Sequence, residues 1–573
     1  MNQAELEKSL APYGEAFILK FQEHAAARGD KVFFYYGEED RSYSYDEFNR
    51  LANCFAGNLL DLGVQKGDRV ALFTLNPLVS TLAMFGLWKA GAVFCPINYN
   101  YKGKLLAYHI NDAAPKILIV EQALIPAVNQ VEADLPALPV IIHRPLPQDH
   151  DFNAEADGGR LAEKFTARIF KDLLTGNDAN PGVPLSGSDT ASIIYTSGTT
   201  GDPKGVVQPH RYLHNYVFPF LNLAHPDDVV YNDLPLYHVG GAFANVVRAA
   251  WAGCRVAVWD KFSPREFWPR VKQSGANCCI LLDVMIPWLM MMEPTPEDAA
   301  NPMKMVHMQP LPQNHHEFAR RFGVDLITIG YGSTESGAVF AGGIDEFGDG
   351  RGTPEHLWKG HSKERLIEIT KKFGMPIVSG LEEVRKGFMG RPSPLLETRV
   401  LDEQGREVPV GAPGQLAVKS RLPHLMIKEY FNKPEATAKA LQDGWFLSGD
   451  VVVGDEDGLY RFFDRLGGFI RVRGENMSSH TVEGLLCANP AIGSAAVFPV
   501  PAAQGNEEDI AAFIVLKPGA ALGEDELRAW MEKEMPKYMR PRHLRFVAAL
   551  PVTPTFKVQK YLLKSIIQQE LGR

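Results

Sequence analysis

Between residues 69 and 96 the chain reads as strand, helix, strand, and few patterns restrict a fold more. Arg69 to Thr74 (RVALFT) and Gly91 to Pro96 (GAVFCP) are short apolar runs of strand length, and Leu78 to Ala90 between them reads as a helix. Strands joined through a helix lie parallel, and a parallel sheet is covered on both faces. Upstream, Ser44 to Glu47 (SYDE) is a capping box. It opens a helix whose apolar face is Phe48, Leu51, Ala52, Phe55 and Leu59, and Gly63 ends it. The alternation resumes after residue 190, so the large part of the chain is predicted to be α/β.

With 573 residues the chain is too long for one hydrophobic core and should divide. Residues 342–388 (GGIDEFGDGRGTPEH, then the charged SKERLIEITKKFG) read as a surface insertion. From about 395 to 430 short strand signals alternate with Gly/Pro turns, which predicts a small β-rich subdomain. Beyond about residue 467, Ala495–Val500, Ile510–Leu516 and Arg545–Val547 read as strands and Glu524–Glu534 as a helix, a compact α+β tail.

Lys and Arg total 59 against 68 Asp and Glu, a net charge of -9, with no basic domain, which argues against a nucleic-acid binder. The six cysteines (54, 95, 254, 278, 279, 487) form no CxxC pair and no metal-ligand spacing, so they read as core residues in a reduced compartment. The opening MNQAELEKSLAPYGE has neither a basic n-region nor an apolar h-region, so no secretion signal is expected. No stretch approaches the roughly 18 apolar residues of a membrane span. The expected location is cytoplasmic.

Chemistry concentrates in Tyr195–Val207, YTSGTTGDPKGVV. An apolar strand runs into four hydroxyl residues, three glycines and Lys204. Glycines let backbone N–H groups approach oxygens, hydroxyls add donors and the lysine adds charge, a combination suited to a polyphosphate. GxxxxGK[ST] cannot be aligned to it, so it is not a Walker A loop.

This segment resembles the signature of the adenylate-forming superfamily, which includes acyl-CoA synthetases, firefly luciferase and nonribosomal adenylation domains. LPLYHVGG (234–241), YGSTES (331–336), DGWFLSGD (443–450), FDRLGGFIRVRGEN (463–476) and PVTPTFKVQK (551–560) resemble its later motifs, in order. GFMGRPSP (387–394) and the tail are most similar to the carnitine/crotonobetaine-CoA ligase-like branch. The resemblance implies a large N-terminal domain over 1–463, built of two αβ-layered sheets with the β-rich subdomain. A hinge at 464–468 and a small mobile α+β C-terminal lid over 469–573 would follow.

It also implies roles. Thr196, Ser197, Gly198, Thr199, Thr200, Gly201 and Lys204 would hold the β- and γ-phosphates of ATP. Glu335 would be the Mg²⁺ carboxylate, Thr334 would contact the α-phosphate and Tyr331 would stack on adenine. Asp450 would accept both ribose hydroxyls, and Arg465 would reach the same nucleotide. His238, Val239, Gly240, Gln309, Pro310 and Gly330 would line the acyl pocket, with Pro235 and Tyr237 shaping its wall. Met290–Met292 could join them or simply pack in the core. Lys557 would meet the carboxylate and α-phosphate, offsetting charge as oxygen attacks phosphorus; Lys560 and Lys564 are decoys. The small domain would then rotate, bringing Gly474 against the pantetheine of coenzyme A.

The implied activity is that of an acyl-CoA ligase: a small to medium carboxylic acid is activated as an acyl-adenylate with pyrophosphate release, then transferred to coenzyme A. Loading of a carrier protein, or a degenerate homologue that binds without turnover, remain alternatives, and a homodimer remains open beside a monomer. Amino acids are disfavoured, because VGGAFANVV lacks the Asp that amino-acid-loading members usually place after LPLYH. Three departures stand out: Gly467-Gly468 at the hinge, Met308-Gln309-Pro310-Leu311-Pro312 where a glycine-rich segment is expected, and Phe556 before Lys557.

Overall fold

The strand–helix–strand pattern folds as read. Arg69–Phe73 and Val93–Pro96 are parallel strands, Arg69 opposite Val93 and Leu72 opposite Pro96, joined by the helix Pro77–Lys89. Asn76 caps that helix, its Oδ1 accepting from Leu78 N at 3.0 Å and Val79 N at 3.1 Å, and Pro77 takes the first-turn position where no N–H is needed. The helix is buried almost all round, and its Trp88 indole donates to Ala191 O at 2.8 Å. Burying each large apolar side chain here contributes about 1.5–3 kcal/mol. The Ser44 half of the capping box is present: Glu47 N donates to Ser44 Oγ at 3.1 Å where the helix Tyr45–Asp61 opens.

The computed structural model describes residues 3–10, 16–153, 159–196, 203–465, 469–472, 475–501, 508–552 and 558–571. Two units emerge. The larger comprises residues 1–198, 202–398 and 418–446, the smaller 199–201, 399–417 and 447–573.

The larger unit holds two sheets. One has eight strands, ordered Glu429–Tyr430, Lys204–Pro209, Thr190–Thr196, Val93–Pro96, Arg69–Phe73, Ile117–Glu121, Pro139–His143 and Thr166–Ile169. The other runs Gly337–Asp345, Leu326–Ser333, Met305–Met308, Cys278–Leu281, Val229–Asn232, Arg255–Val258, Val32–Tyr36 and Arg41–Ser44. Its central pairs are parallel, and Leu326–Ser333 with Gly337–Asp345 is antiparallel. Phe17, Phe21, Phe33, Phe48, Phe85 and Trp88 belong to the buried cluster between the layers.

Residues 342–388 depart from the surface-insertion reading. Gly342 to Ile344 continue a buried strand, Ile344 opposite Ile327. The helix Lys363–Lys372 buries Leu366 and Ile369 in the main core. Its Lys363, 3% exposed, pairs with Asp345 at 2.7 Å. The charge that makes this stretch look external is partly consumed inside the fold.

In the smaller unit Ile492–Pro501 pairs antiparallel with Glu508–Leu516, which pairs parallel with His543–Phe546. The helices Glu524–Glu534 and Lys560–Glu570 complete an α+β unit. Met477, Val497, Ile514 and Leu527 are in its core.

Candidate active site

The hydroxyl-rich segment joins the second and third strands of the eight-stranded sheet. Thr190–Thr196 and Lys204–Pro209 pair antiparallel, and Thr196 lies opposite Lys204. Ile193, Ile194, Val206 and Val207 are buried, and the Tyr195 hydroxyl donates to Asp112 Oδ2 at 2.6 Å. The two feet of the loop are therefore fixed. Ser197, Gly198, Thr199, Thr200 and Gly201 lie outside the described residues.

Thr334, Glu335 and Ser336 form the turn between the strands Leu326–Ser333 and Gly337–Asp345. The turn is tight. A Cβ on Gly332 would stand 2.5 Å from Gly337 O, and Gly337 itself adopts φ +72, conformations that favour glycine. Three side chains hold it. Gln208 Nε2 donates to Thr334 O at 2.8 Å, the Tyr212 hydroxyl to Ser333 O at 3.2 Å, and Asn215 Nδ2 to Ser336 O at 2.7 Å. Ile427 N donates to Glu335 O at 2.7 Å. With its backbone satisfied, the turn can present Glu335 as a fixed carboxylate.

Sequence reading missed Tyr430. The two-residue strand Glu429–Tyr430 pairs with Lys204–Pro209, Tyr430 opposite Val206. That register puts the Tyr430 hydroxyl 3.0 Å from Glu335 Oε1, to which it donates a hydrogen bond, and the ring 5.1 Å from Lys204 Nζ. Burial, reinforced by the Glu335 charge, pushes the phenol well above its ordinary range, so it remains a donor. Lys204, Tyr430 and Glu335 thus form one contiguous group. Nearby, Tyr331 lies 6.0 Å from the Phe340 ring, centroid to centroid.

Of the residues read as acyl-pocket lining, His238, Val239 and Gly240 lead into a π-helical run, Gly240–Val247, a geometry frequent at functional sites. Gly240 N donates to His238 Nδ1 at 3.3 Å. The second group is Gln309, Pro310 and Gly330. Gln309 Oε1 lies 3.2 Å from His307 Nε2, and His307 Nδ1 lies 3.2 Å from Thr328 Oγ1. A Cβ on Gly330 would stand 3.7 Å from His307 Cε1 and 2.6 Å from Phe340 O, so only glycine fits there. Pro310 is exposed. Met291 and Met292 are exposed too, 73% and 36%, so neither packs in the core.

In the smaller unit, Asp450 and Arg465 are cross-strand partners. Asp450 is buried, and its Oδ1 lies 3.4 Å from Arg465 Nε, the arginine staying half exposed. Lys560 is occupied: its Nζ is 2.7 Å from Glu483 Oε1 and 2.7 Å from Ser479 Oγ. Burial opposes ionisation of Glu483, yet His480 and Lys560 hold its carboxyl below the usual range. Lys557, Gly467, Gly468 and Gly474 lie outside the described residues.

The α/β architecture, the hydroxyl-rich sequence between the loop feet and the acidic turn agree with the adenylate-forming resemblance, and the comparisons with known proteins narrow the class to AMP-forming acid–thiol ligases. The AMP-binding enzyme family matches residues 21–431, and the AMP-binding enzyme C-terminal domain matches 481–557. The chain belongs to the AMP-binding enzyme family. It is 30% identical over 532 residues to the crotonobetaine/carnitine–CoA ligase of Proteus mirabilis (strain HI4320), covering 91% of this chain and 92% of the relative. Its fold is similar to that of ATP-bound MatB from Rhodopseudomonas palustris (TM-score 0.76, 23% identity, 96% and 99% of the two chains). It is similar also to the anthranilate CoA ligase AuaEII in complex with anthranoyl-AMP (TM-score 0.78, 21% identity, 100% of each). ATP-dependent ligation of a carboxylic acid to coenzyme A is the activity this membership supports.

Proposed function

We propose that this enzyme activates a small to medium carboxylic acid and delivers it to coenzyme A in two steps. In the first, a carboxylate oxygen attacks the α-phosphorus of ATP, the bond to the β-phosphate breaks and pyrophosphate leaves. In the second, the coenzyme A sulfur attacks the acyl carbon, its proton passes to solvent and AMP leaves. Positioning and charge stabilisation are all the protein must supply, since no protein nucleophile is used.

The observation that carries this reading is the Lys204–Tyr430–Glu335 group beside the loop feet, a cation and an anion held at fixed spacing by one ring. Lys204 and the loop from Thr196 would take the β- and γ-phosphates, Thr334 the α-phosphate and Tyr331 the adenine. Asp450 and Arg465 would take the ribose, Lys557 the reacting carboxylate, and Gly474 the pantetheine. Glu335 suits Mg²⁺, which favours one or two carboxylates together with phosphate oxygens; bound with ATP, the ion would neutralise phosphate charge. A reduced, cytoplasmic setting fits six free cysteines, five of them buried. Among the described residues no helix is long and apolar enough to cross a membrane.

The test is pyrophosphate release across a panel of carboxylic acids, with and without coenzyme A. Acyl-CoA and AMP should appear together in equal amounts. Pyrophosphate release with thioester formed only on a carrier protein would redirect the second step, and no release with any acid would end the proposal.

A further inference from the structure

Arg248 is a cation in the interior whose side chain meets the neutral Cys278 thiol and no carboxylate among the described residues. It begins the helix Arg248–Ala252, directly after the π-helical run, and is 1% exposed. Its Nε and Nη2 are buried and have no hydrogen-bond partner. Asp228, the acidic group whose charge reaches the same Cys278 thiol, is already bonded to Lys304 Nζ at 2.9 Å and Asn277 Nδ2 at 2.9 Å. A buried guanidinium without an anion is among the most costly arrangements a fold can hold. Its persistence calls for a partner that arrives from outside.

The surroundings say where that partner would come from. The Arg248 guanidinium lies 5.0 Å over the Phe220 ring, and that ring lies 4.8 Å from His307, centroid to centroid. His307 in turn contacts Gln309 and sits under Gly330, both assigned above to the acyl pocket. One aromatic ring, Phe220, thus separates Arg248 from His307 and the residues read as acyl-pocket lining. Asn245, in the π-helical run just before it, donates to Asn232 Oδ1 at 2.9 Å and leaves its own Oδ1 buried and unpartnered. Burial first, and then the Arg248 charge against the Gln309 hydrogen bond, holds His307 down at about 4. At neutral pH the ring is uncharged, and Arg248 is the charge that acts on it.

Building on the ligase reading, we propose that the substrate is a carboxylic acid with a second anionic group, a dicarboxylate foremost, whose distal carboxylate pairs with Arg248. One carboxylate is activated at phosphorus, and the other neutralises the guanidinium with charge-assisted hydrogen bonds. The same cation disfavours acids carrying a trimethylammonium group, such as the carnitine named for the relative from Proteus mirabilis.

The experiment compares three matched series in the coenzyme A-dependent pyrophosphate assay: dicarboxylic acids, the same acids with methyl in place of the distal carboxylate, and trimethylammonium acids. Wild-type kcat/KM should favour a dicarboxylate over its methyl analogue by about 10²-fold or more, since the analogue leaves the buried cation unmet. Arg248→Met should lose that preference while its turnover of the methyl analogue stays within about threefold of wild type. The dicarboxylate should raise the Tm of the wild type and not of Arg248→Met, whose own Tm should not fall, because a buried charge that meets no carboxylate has been removed. The wild-type Tm response stands as an independent readout if the variant misfolds. Turnover confined to methyl or trimethylammonium acids, or a dicarboxylate preference that survives Arg248→Met, overturns the assignment and leaves the ligase reading intact. No turnover with any acid overturns both.

Discussion

The Tyr430 hydroxyl donates to Glu335 Oε1 at 3.0 Å while its ring lies 5.1 Å from Lys204 Nζ. One side chain thus fixes the spacing between the carboxylate and the lysine. Tyr430→Phe keeps the ring and removes the donor. Losing a hydrogen bond to a charged group costs about 1.5–3 kcal/mol, so kcat/KM for ATP should fall about tenfold or more, with a steeper dependence on Mg²⁺ concentration. Tm should change by less than about 2 °C, because the packing is kept. Steady-state pyrophosphate release at varied ATP and Mg²⁺ checks this.

Glu335 rests on a turn whose carbonyls are held by Gln208, Tyr212, Asn215 and Ile427. Glu335→Gln preserves that backbone and loses only the charge. Adenylation should drop about 10²-fold or more, the scale of losing one preorganised electrostatic group. Thioester formation from supplied acyl-adenylate and coenzyme A should persist, and rapid-quench measurement of the two half-reactions separates them. Equal loss in both would remove Glu335 from the first step.

How far the sequence carried the fold can be judged element by element. RVALFT and GAVFCP announce parallel strands because a continuous apolar run is what a strand covered on both faces requires. SYDE announces a helix start because its bonds are local. Local signals also placed Glu524–Glu534. What escaped is long-range. Lys363 looks like a solvated charge until Asp325 and Asp345 close on it, and Leu366 and Ile369 are diluted among charges in SKERLIEITKK. Tyr430 carries no signal of its own: a two-residue strand pairing with Val206 brings it to Glu335. Arg248, too, reads as an ordinary arginine until its burial is seen. The YGSTES motif singles out Glu335, while the supports of its turn come from elsewhere in the chain.

Within the larger unit His150 ties its loop to two carboxylates, its Nε2 2.8 Å from Asp260 Oδ2 and its Nδ1 3.3 Å from Glu39 Oε1. Burial pulls its pKa down, but Asp260 and Glu39 outweigh that and raise it to about 9, above the ordinary 6.5. A raised folded-state value means stability fully present below pH 6.5 and lost as pH rises through about 9. Thermal unfolding should therefore show wild type more stable than His150→Gln at pH 6, with the gap closing by about pH 9.5. A gap that stays constant across this range would contradict the ion-pair account.

Lys560 and Lys557 lie three residues apart in one motif and should separate cleanly. Lys560 is held by Glu483 and Ser479, so it is not free to serve a substrate. Lys560→Ala leaves Glu483 with only His480 and backbone donors, and should destabilise the smaller unit by about 1–3 kcal/mol. Adenylation per folded molecule should be retained. Lys557→Ala should do the reverse: an unchanged Tm, adenylation down about 10²-fold or more, and transfer from supplied acyl-adenylate to coenzyme A preserved. Calorimetry paired with single-turnover assays of each half-reaction reads both variants. If Lys560→Ala abolished adenylation at full folding while Lys557→Ala stayed active, the catalytic lysine would be Lys560, and the Glu483 pair would be the resting state from which it must be released.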